Sequence, residues 1–410
     1  MASEPKQIVI VGASLAGLRA AETLRQEKFT GRIVMVSDEA AQPYDRPPLS
    51  KKVLAGEWEP DRIRLRKPDD LSSLDAEWIL GDGAVRLDSV HRQVVLASGR
   101  VLDFDGLIIA TGGRVRRLPA QPDWRGIHVL RSLDDSLALR SELVADRRVV
   151  VIGAGFIGLE VAATARGLGC EVSVLEGAEA PLTRGLGVAM GRLVAKIHPE
   201  NGVDLRCGVK VARLVERQPG VVGGVELADG SVVPADVVVV GIGVAPATEW
   251  LTDSGLAVRD GVVCDETLNA DIPGVYAAGD VARWPNRLLG EEVRVEHWTN
   301  ASEQGAAAAR NLLAVARGET PRPYAEVPFF WSDQFGVRIQ FLGRAAGDEE
   351  IEIVVGSPAE NSFVALYHRD GLLRAALGVS RPKQLMPFRK LLAERATWDQ
   401  ARELAASFDA

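Results

Sequence analysis

Cysteine, histidine and long apolar runs are all scarce in this sequence of 410 residues. The three cysteines form no C-x-x-C pair and the five histidines show no metal-ligand spacing, so neither a disulphide framework nor a metal site is expected. No run approaches the roughly 18 apolar residues that cross a membrane, and no signal peptide is recognisable. The net charge of −8 argues against a general basic surface for nucleic acid. We therefore expect a cytoplasmic protein that binds neither nucleic acid nor membranes.

The best-defined motif is the stretch 148–176, RVVVIGAGFIGLEVAATARGLGCEVSVLE. An apolar run typical of a buried parallel strand leads into Gly153, Gly155 and Gly158, and an Ala- and Leu-rich helix follows. The first glycine permits a tight turn, the second lets the backbone approach a pyrophosphate, and the third lets helix and strand pack closely. Glu176 ends the next strand, where an acid bonds ribose hydroxyls and repels a 2′-phosphate. The stretch predicts a dinucleotide site that prefers NADH to NADPH.

The N-terminal stretch repeats this unit with one change. Gly12 and Gly17 hold the first and third glycine positions, but Ser14 replaces the second glycine. Serine carries a Cβ, so we expect the close approach of a pyrophosphate to be strained there. The second strand ends before Asp38 and Glu39. Asp38 is the predicted ribose ligand, and Glu39 is the second choice.

Both units continue in the same way, through short strands to an apolar strand with a glycine-rich end, at 107–113 and at 237–243. Such a duplication predicts two nucleotide-binding domains of similar architecture. From about residue 321 the pattern changes to antiparallel strands with closing helices at 385–394 and 398–408, which predicts a third, α+β domain. The proline-rich loop 43–51 carries Arg46 and Lys51, and it is either a solvated loop or a contact for a polyanionic ligand.

Six motifs, in this order, resemble those of the NADH-dependent ferredoxin reductases of bacterial oxygenase systems. They are GASLAG at 12–17, PYDRPPLSK at 43–51, ATGG at 110–113, GAGFIG at 153–158, GVYAAGD at 274–280 and FWSDQ at 330–334. The resemblance implies a glutathione-reductase-like α/β fold, with two Rossmann-type dinucleotide-binding domains and a C-terminal α+β interface domain. It implies an FAD-binding domain at 1–113 and 247–322, an NAD-binding domain at 114–246, and the C-terminal domain at 323–410.

The same resemblance implies the residues of both cofactor sites. For FAD they are Gly12, Ser14, Ala16, Gly17, Asp38, Arg46, Lys51, Thr111, Gly112, Arg131, Asp280 and Trp298. For NADH they are Gly153, Gly155, Ile157, Gly158, Glu176, Arg184 and Gly243. The implied catalytic residues are Glu160, beside the nicotinamide, and Trp298, near the isoalloxazine.

The implied function is an NADH:ferredoxin oxidoreductase that passes single electrons to a [2Fe–2S] ferredoxin, which feeds a P450 or a Rieske oxygenase. One alternative is a pyridine-nucleotide disulphide or peroxide reductase. That chemistry needs a cysteine beside the flavin, whereas the first cysteine is Cys170, within the predicted NAD-binding domain. The other alternative is a non-catalytic flavoprotein redox sensor, a role that would favour a basic surface or extra segments.

An acidic chain can receive an acidic ferredoxin through a local patch of opposite charge. Within 379–393, Arg381, Lys383, Arg389 and Lys390 occur with no Asp or Glu among them. We call these four residues the basic segment. It is the candidate docking patch, and the alternative is the solvated basic face of a C-terminal helix.

Overall fold

The computed structural model describes residues 4–408, so the extreme ends of the first and last predicted domains, residues 1–3 and 409–410, lie outside the described residues. The α-helices are α1 Leu15–Gln26, α2 Pro68–Ser72, α3 Leu133–Glu142, α4 Phe156–Gly167, α5 Thr183–Ala195, α6 Ile197–Glu200, α7 Trp298–Ala316, α8 Pro382–Leu385, α9 Phe388–Ala393 and α10 Trp398–Ala406.

The strands of the first half are β1 Gln7–Val11, β2 Arg32–Val36, β3 Ala76–Ile79, β4 Ala84–Asp88, β5 Gln93–Leu96, β6 Val101–Asp103, β7 Gly106–Ile109, β8 Gly113–Val115, β9 Ile127–His128, β10 Arg148–Ile152, β11 Glu171–Glu176 and β12 Asp204–Cys207. Those of the second half are β13 Val211–Gln218, β14 Val221–Leu227, β15 Val232–Pro234, β16 Val237–Val240, β17 Val244–Pro246, β18 Val262–Val263, β19 Val275–Ala277, β20 Ala282–Asn286, β21 Glu291–Arg294, β22 Phe329–Gln334, β23 Val337–Gly343, β24 Glu350–Ser357, β25 Ser362–Arg369 and β26 Leu372–Val379.

The chain divides into two compact units. Unit 1 comprises the chain through Asp45, together with Arg64–Arg114 and Ala245–Pro328. Unit 2 comprises Arg46–Ile63, Val115–Val244 and the chain from Phe329 onwards. The proline-rich loop from Arg46 and the C-terminal strands therefore belong to the same unit as the central glycine motif.

Unit 1 is built on a parallel sheet in the order β19-β7-β1-β2-β3. The central strand β1 is apolar from Ile8 to Val11 because both of its faces are covered there, and Ile8, Val9 and Ile10 are fully buried. Helices α1 and α7 approach each other closely, since a Cβ on Gly305 would lie 2.1 Å from the carbonyl oxygen of Ala16. A three-stranded antiparallel sheet, β4-β5-β6, completes the pattern expected from the sequence.

Unit 2 repeats this plan with the parallel order β12-β11-β10-β16-β9. Strand β10 takes the place of β1, β11 that of β2, and β16 that of β7, and the antiparallel sheet β13-β14-β15 corresponds to β4-β5-β6. The predicted α/β fold with two Rossmann-type halves is therefore confirmed. The predicted three domain ranges stay a prediction.

The C-terminal part of unit 2 is an antiparallel sheet in the order β22-β23-β26-β25-β24. The helix expected at 385–394 is interrupted, because α8 ends at Leu385 and α9 begins at Phe388. Pro387 stands between them and lacks the N–H that a continuous helix would need there. Helix α10 begins with a capping box, in which Thr397 accepts from the backbone N–H of Gln400.

Neither a metal cluster nor a membrane span is found between residues 4 and 408. No group of three or more His, Cys, Asp or Glu side chains in that range is placed to hold a metal ion. No helix in the same range is long and apolar enough to cross a bilayer.

Asp236 anchors the start of β16 to β10 through an ion pair. Its carboxylate accepts from Nε and Nη2 of Arg148, at 3.0 and 2.8 Å, and from Nη1 of Arg217 at 3.0 Å. The hydrogen bonds from the Arg148 side chain are the main reason why the pKa of Asp236 falls to about 2. A depressed pKa means that the stabilisation is present above the unfolded-state pKa and is lost as the pH falls through the folded-state value.

We expect Asp236→Asn to lower the free energy of unfolding by about 1–2 kcal/mol at pH 7, a range reduced for the partial exposure of Arg148. The difference from wild type should be constant above about pH 4 and should shrink as the pH approaches 2. Urea unfolding across this pH range measures it. Asp204→Asn is the matched control, because the exposed Asp204–Arg206 pair should contribute about 0.5 kcal/mol or less. Equal losses in the two variants would contradict the assignment.

Candidate dinucleotide sites

The first glycine of each motif makes a turn that no other residue can make without strain. Gly12 has φ +112° and Gly153 has φ +104°. A Cβ on Gly12 would lie 2.0 Å from the carbonyl oxygen of Ala110, and a Cβ on Gly153 would lie 2.4 Å from that of Gly241. Each glycine N–H also donates across the sheet, to Val36 and to Leu175, over 2.8 Å in both cases. The two turns are therefore built alike.

The third glycine brings the following helix against the turn. A Cβ on Gly17 would lie 1.8 Å from the carbonyl oxygen of Gly12, and one on Gly158 would lie 2.3 Å from that of Gly153. Any side chain at either position would push the helix away from the strand end. The predicted role of the third glycine in close packing follows directly from these distances.

The second glycine position of each motif requires open space beside the residue, but no unusual backbone conformation. Ser14 has φ −82° and Gly155 has φ −78°, both ordinary extended values. A Cβ on Gly155 would meet no protein atom within 4 Å. Helices α1 and α4 begin directly after these residues, and their first N–H groups have no intrahelical partner. Both turns fit a pyrophosphate. The backbone of Ser14 is unstrained, and the strained approach of a pyrophosphate to its Cβ stays a prediction.

Glu176 lies against the glycine turn of unit 2. Its carboxylate accepts from the backbone N–H of Ala154 at 2.7 Å and from that of Ala178 at 2.8 Å. These two bonds fix the charge beside the middle of the G-x-G sequence, where the acid that binds a ribose belongs. Glu176 ends β11 as expected, and its role as the ribose ligand stays a prediction.

In unit 1 the acidic residue, Asp38, lies at a different position relative to the end of the second strand. Val36 pairs with Val11 as Leu175 pairs with Ile152, so Ser37, and not Asp38, corresponds to Glu176 in the sheet. Asp38 lies one residue further on and is exposed. Glu39, the second choice, accepts a hydrogen bond from the Tyr44 hydroxyl. Asp38 as the ribose ligand stays a prediction.

Three more predicted FAD residues follow strands of the unit 1 sheet. Thr111 and Gly112 follow β7, and Asp280 follows β19 in a short 3₁₀ turn, Gly279–Val281. Since β1, β7 and β19 are parallel neighbours, their carboxyl ends place Gly12, Thr111 and Asp280 at one edge of the sheet. Trp298 begins α7, and its Nε1 donates to Asp45 at 2.7 Å.

The remaining predicted FAD residues, Arg46, Lys51 and Arg131, belong to unit 2. Nη1 of Arg46 donates to the carbonyl oxygen of Arg131 at 2.6 Å. Within the proline-rich loop, Pro47–Ser50 form one 3₁₀ turn, which the fixed φ of proline permits. The Ser136 hydroxyl donates to the carbonyl oxygen of Leu49 at 2.7 Å, which attaches this turn to α3.

Glu160 is a buried carboxylate surrounded by donors. It lies on α4, two residues after Gly158, and is 5% exposed. It accepts from Lys51 Nζ at 2.9 Å, from the Ser332 hydroxyl at 2.6 Å, and from the Ser50 hydroxyl. A buried charge requires such partners, because an isolated carboxylate in a protein interior is very costly. The site thus joins the proline-rich loop, the NAD motif and strand β22.

The other predicted NADH residues also lie in unit 2. A guanidinium nitrogen of Arg184 is 3.5 Å from the position that a Cβ on Gly243 would take, and Gly243 has φ +100°. Ile157 is 46% exposed at the start of α4. The structure therefore brings Arg184 and Gly243 together.

Four polar residues of the site were missed by the sequence analysis. Ser50, Ser332, Gln334 and His198 are all buried, and they contact Glu160 directly or through one another. Three of them lie in motifs that carry the family resemblance: Ser50 in PYDRPPLSK, and Ser332 and Gln334 in FWSDQ. These two motifs were the available signal.

The cysteines are unsuited to thiol chemistry. All three are free, and burial raises the pKa of Cys170 and Cys207 and raises that of Cys264 to about 12. A nucleophilic cysteine needs a thiolate near neutral pH, and this generally requires a lowered pKa. This observation argues against the disulphide reductase alternative.

A glycine-rich dinucleotide turn at the edge of a parallel sheet, present twice in one chain, defines an oxidoreductase with two dinucleotide sites. The chain belongs to the pyridine nucleotide-disulphide oxidoreductase family, whose model matches residues 6–305, and a reductase C-terminal model matches residues 329–409.

The relatives include ferredoxin reductase components of dioxygenase systems. The chain is 36% identical to putidaredoxin reductase of Pseudomonas putida over 393 residues, covering 95% of this chain and 92% of that protein. It is 38% identical to the biphenyl dioxygenase system ferredoxin–NAD(+) reductase component of Paraburkholderia xenovorans, covering 95% and 94% of the two chains. The crystal structure of a covalent putidaredoxin reductase–putidaredoxin complex matches with a TM-score of 0.90 at 35% identity, covering 95% and 93%.

These matches confirm the predicted family, which is that of the ferredoxin reductases of bacterial oxygenase systems. They also confirm the oxidoreductase class and the use of FAD and NAD(H). The individual cofactor-binding and catalytic residues stay predictions.

We expect Gly17→Ala to abolish FAD retention, because its Cβ would fall 1.8 Å from the Gly12 carbonyl oxygen. Ser14→Gly should change the FAD dissociation constant by about threefold or less, since Ser14 already has an unstrained backbone. Flavin content after purification and FAD titration of the apoprotein measure both effects. Full flavin content in Gly17→Ala would contradict the close-packing role.

Proposed function

We propose that this protein is an NADH-dependent, FAD-containing reductase that passes single electrons to a [2Fe–2S] ferredoxin of an oxygenase system. The observation that carries the proposal is the pair of near-identical glycine turns, of which the second donates the backbone N–H of Ala154 to Glu176. A bound FAD supplies the conversion between a two-electron donor and single-electron acceptors. The three free cysteines suit the reducing conditions of the cytoplasm.

We assign the unit 1 turn to FAD and the unit 2 turn to NADH. Gly12, Ser14, Ala16 and Gly17 would hold the FAD pyrophosphate, while Asp280 would bond the ribityl chain. Gly153, Gly155 and Gly158 would hold the NADH pyrophosphate, and Glu176 would bond the adenosine ribose. The open space beside Gly155 and the contact of Arg184 with Gly243 support this division.

Glu160 would act on the nicotinamide as a fixed negative charge. A nicotinamide ring gains positive charge as it gives up hydride, and a preorganised carboxylate stabilises that charge where water is excluded. Lys51, Ser50 and Ser332 hold the carboxylate in place, and only 5% of Glu160 is exposed to solvent, which supports this role. No side chain has to act as a nucleophile or as a general base in this step.

The rate of NADH-driven turnover distinguishes a reductase from a non-catalytic redox sensor. A reductase reduces ferricyanide rapidly with NADH, whereas slow or absent turnover would favour a sensor. The same assay tests the choice of nucleotide, because Glu176 provides the repulsion that would exclude the 2′-phosphate of NADPH.

We expect wild type to prefer NADH strongly, and Glu176→Ala to narrow the ratio of kcat/KM for NADH over NADPH by about tenfold, or about 1.4 kcal/mol. Glu176→Ala also removes two hydrogen bonds from the backbone, which should weaken the binding of both nucleotides. The ratio of the two kcat/KM values cancels this shared effect. Ferricyanide reduction under steady-state conditions measures it. Glu179→Ala is the control, since Glu179 is exposed and pairs with Arg192 at 3.7 Å. Equal kcat/KM for the two nucleotides in wild type would contradict the role of Glu176.

The basic segment spans α8 and α9 and is our proposed docking patch for ferredoxin. Lys383 and Lys390 are exposed, and Lys390 forms only a loose pair with Glu394 at 3.8 Å. Arg381 is half-buried and donates through Nε to the Ser362 hydroxyl at 2.8 Å. The two lysines are therefore the better positions for charge reversal, since changing Arg381 would also break a structural contact.

We expect Lys383→Glu with Lys390→Glu to slow NADH-driven ferredoxin reduction several-fold at low salt, with the difference fading at high salt as surface charges are screened. Ferricyanide reduction should be unchanged, because this small acceptor needs no protein docking. Lys196→Glu with Lys210→Glu is a control of equal charge change at exposed positions elsewhere in unit 2. If both double variants slow ferredoxin reduction equally, or if ferricyanide reduction falls in parallel, the basic segment is not the docking patch.

A further inference from the structure

Strand β22 carries the F-W-S-D-Q motif, and its successive side chains point to opposite faces of the sheet. Ser332 and Gln334 share the buried face, at 0% and 1% exposure. On the same face the ring of Phe330 meets Phe156 of α4 edge-on, with the ring centroids 4.7 Å apart. This face is therefore turned towards the helix that carries Glu160.

Four buried side chains form a continuous chain of hydrogen bonds that ends on Glu160. His198 Nε2 lies 2.9 Å from Gln334 Oε1, and Gln334 Nε2 lies 3.0 Å from the Ser332 hydroxyl oxygen. The Ser332 hydroxyl oxygen lies 2.6 Å from Oε1 of Glu160. The chain links α6, β22 and α4 within unit 2.

The carboxylate determines the direction of every bond in this chain. An ionised carboxylate only accepts, so the Ser332 hydroxyl must donate to Glu160 and can then accept from the Gln334 amide nitrogen. The Gln334 oxygen consequently faces His198, which must carry its proton on Nε2. Burial lowers the pKa of His198, so its ring is neutral, and its Nδ1 has no hydrogen-bond partner among the described residues. All three donors point towards Glu160.

We propose that Ser332, Gln334 and His198 are positioning residues for Glu160, so that the C-terminal strand takes part in the oxidation of NADH. The inference rests on the proposed function, in which Glu160 stabilises charge on the nicotinamide. Ser332 acts by direct contact with the carboxylate. Gln334 and His198 do not touch Glu160 and act by fixing the direction of the Ser332 hydroxyl. Lys51 and Ser50 hold the carboxylate through separate bonds.

The test uses the full-length FAD-loaded protein and follows flavin reduction by NADH after anaerobic rapid mixing. We expect the rate at saturating NADH to fall about tenfold in Ser332→Ala and about threefold in Gln334→Met, while the NADH dissociation constant changes by about twofold or less. Ser332→Thr keeps the hydroxyl and should recover most of the rate. Asp333→Asn is the matched control, because Asp333 lies on the opposite face of β22 and pairs with Arg338 at 3.7 Å.

Flavin content and the thermal midpoint of unfolding identify any variant that is misfolded. If Ser332→Ala loses its flavin, the rate of flavin reduction in Gln334→Met tests the positioning role. Wild-type rates in both variants, or a rise in the dissociation constant alone, would overturn the positioning role. If NADH fails to reduce the flavin of the wild type, the proposed function fails and this inference fails with it. If wild type is reduced and the variants match it, only the inference fails.

Discussion

The close contact between the first and third glycines of each turn is the constraint on which both cofactor sites depend. The carbonyl oxygen of Gly12 would lie 1.8 Å from a Cβ on Gly17, and that of Gly153 would lie 2.3 Å from a Cβ on Gly158. This contact holds the first turn of the helix directly against the end of the central strand. The unpaired N–H groups of the helix therefore lie at the edge of the sheet, where neighbouring strands also end. In unit 1, Thr111 and Asp280 follow neighbouring strands that end at the same edge.

The turns could be predicted from the sequence because their geometry is local. Glycine spacing, an apolar strand on either side and the acid at Glu176 all fall within 29 consecutive residues, 148–176. The position of Asp38 could not be predicted as well, since the registers of the two sheets match and the acid of unit 1 lies one residue further beyond the strand end than Glu176 does. The break between α8 and α9 was in principle readable from Pro387. The assignment of the proline-rich loop to unit 2 could not be predicted from the sequence, because the partners of the loop, such as Ser136, are distant in sequence.

The polar residues around Glu160 show what local patterns cannot predict. Ser50 is 110 residues before Glu160 and Ser332 is 172 residues after it. Both residues lie in motifs that indicate the family, at 43–51 and 330–334, but neither motif has a spacing that indicates a contact with Glu160. Each is a common polar residue that usually lies at a surface. Their importance follows only from the burial of the carboxylate, which is costly without donors. Removing one partner of such a buried charge costs more than the mean strength of a hydrogen bond suggests.

The duplicated halves share the glycine contact and differ where chemistry is expected. The residue two positions after the third glycine is Glu160 in unit 2, and the corresponding residue in unit 1 is Arg19, which pairs with Glu22 at 2.5 Å. The second glycine is kept as Gly155 in unit 2 and is Ser14 in unit 1. A shared scaffold thus carries a buried carboxylate in only one of its two copies at this position. Positions that are free of the packing constraint can vary without loss of the fold. The two halves can therefore acquire separate roles at these positions. One half can hold a cofactor permanently, and the other can bind and oxidise its nucleotide.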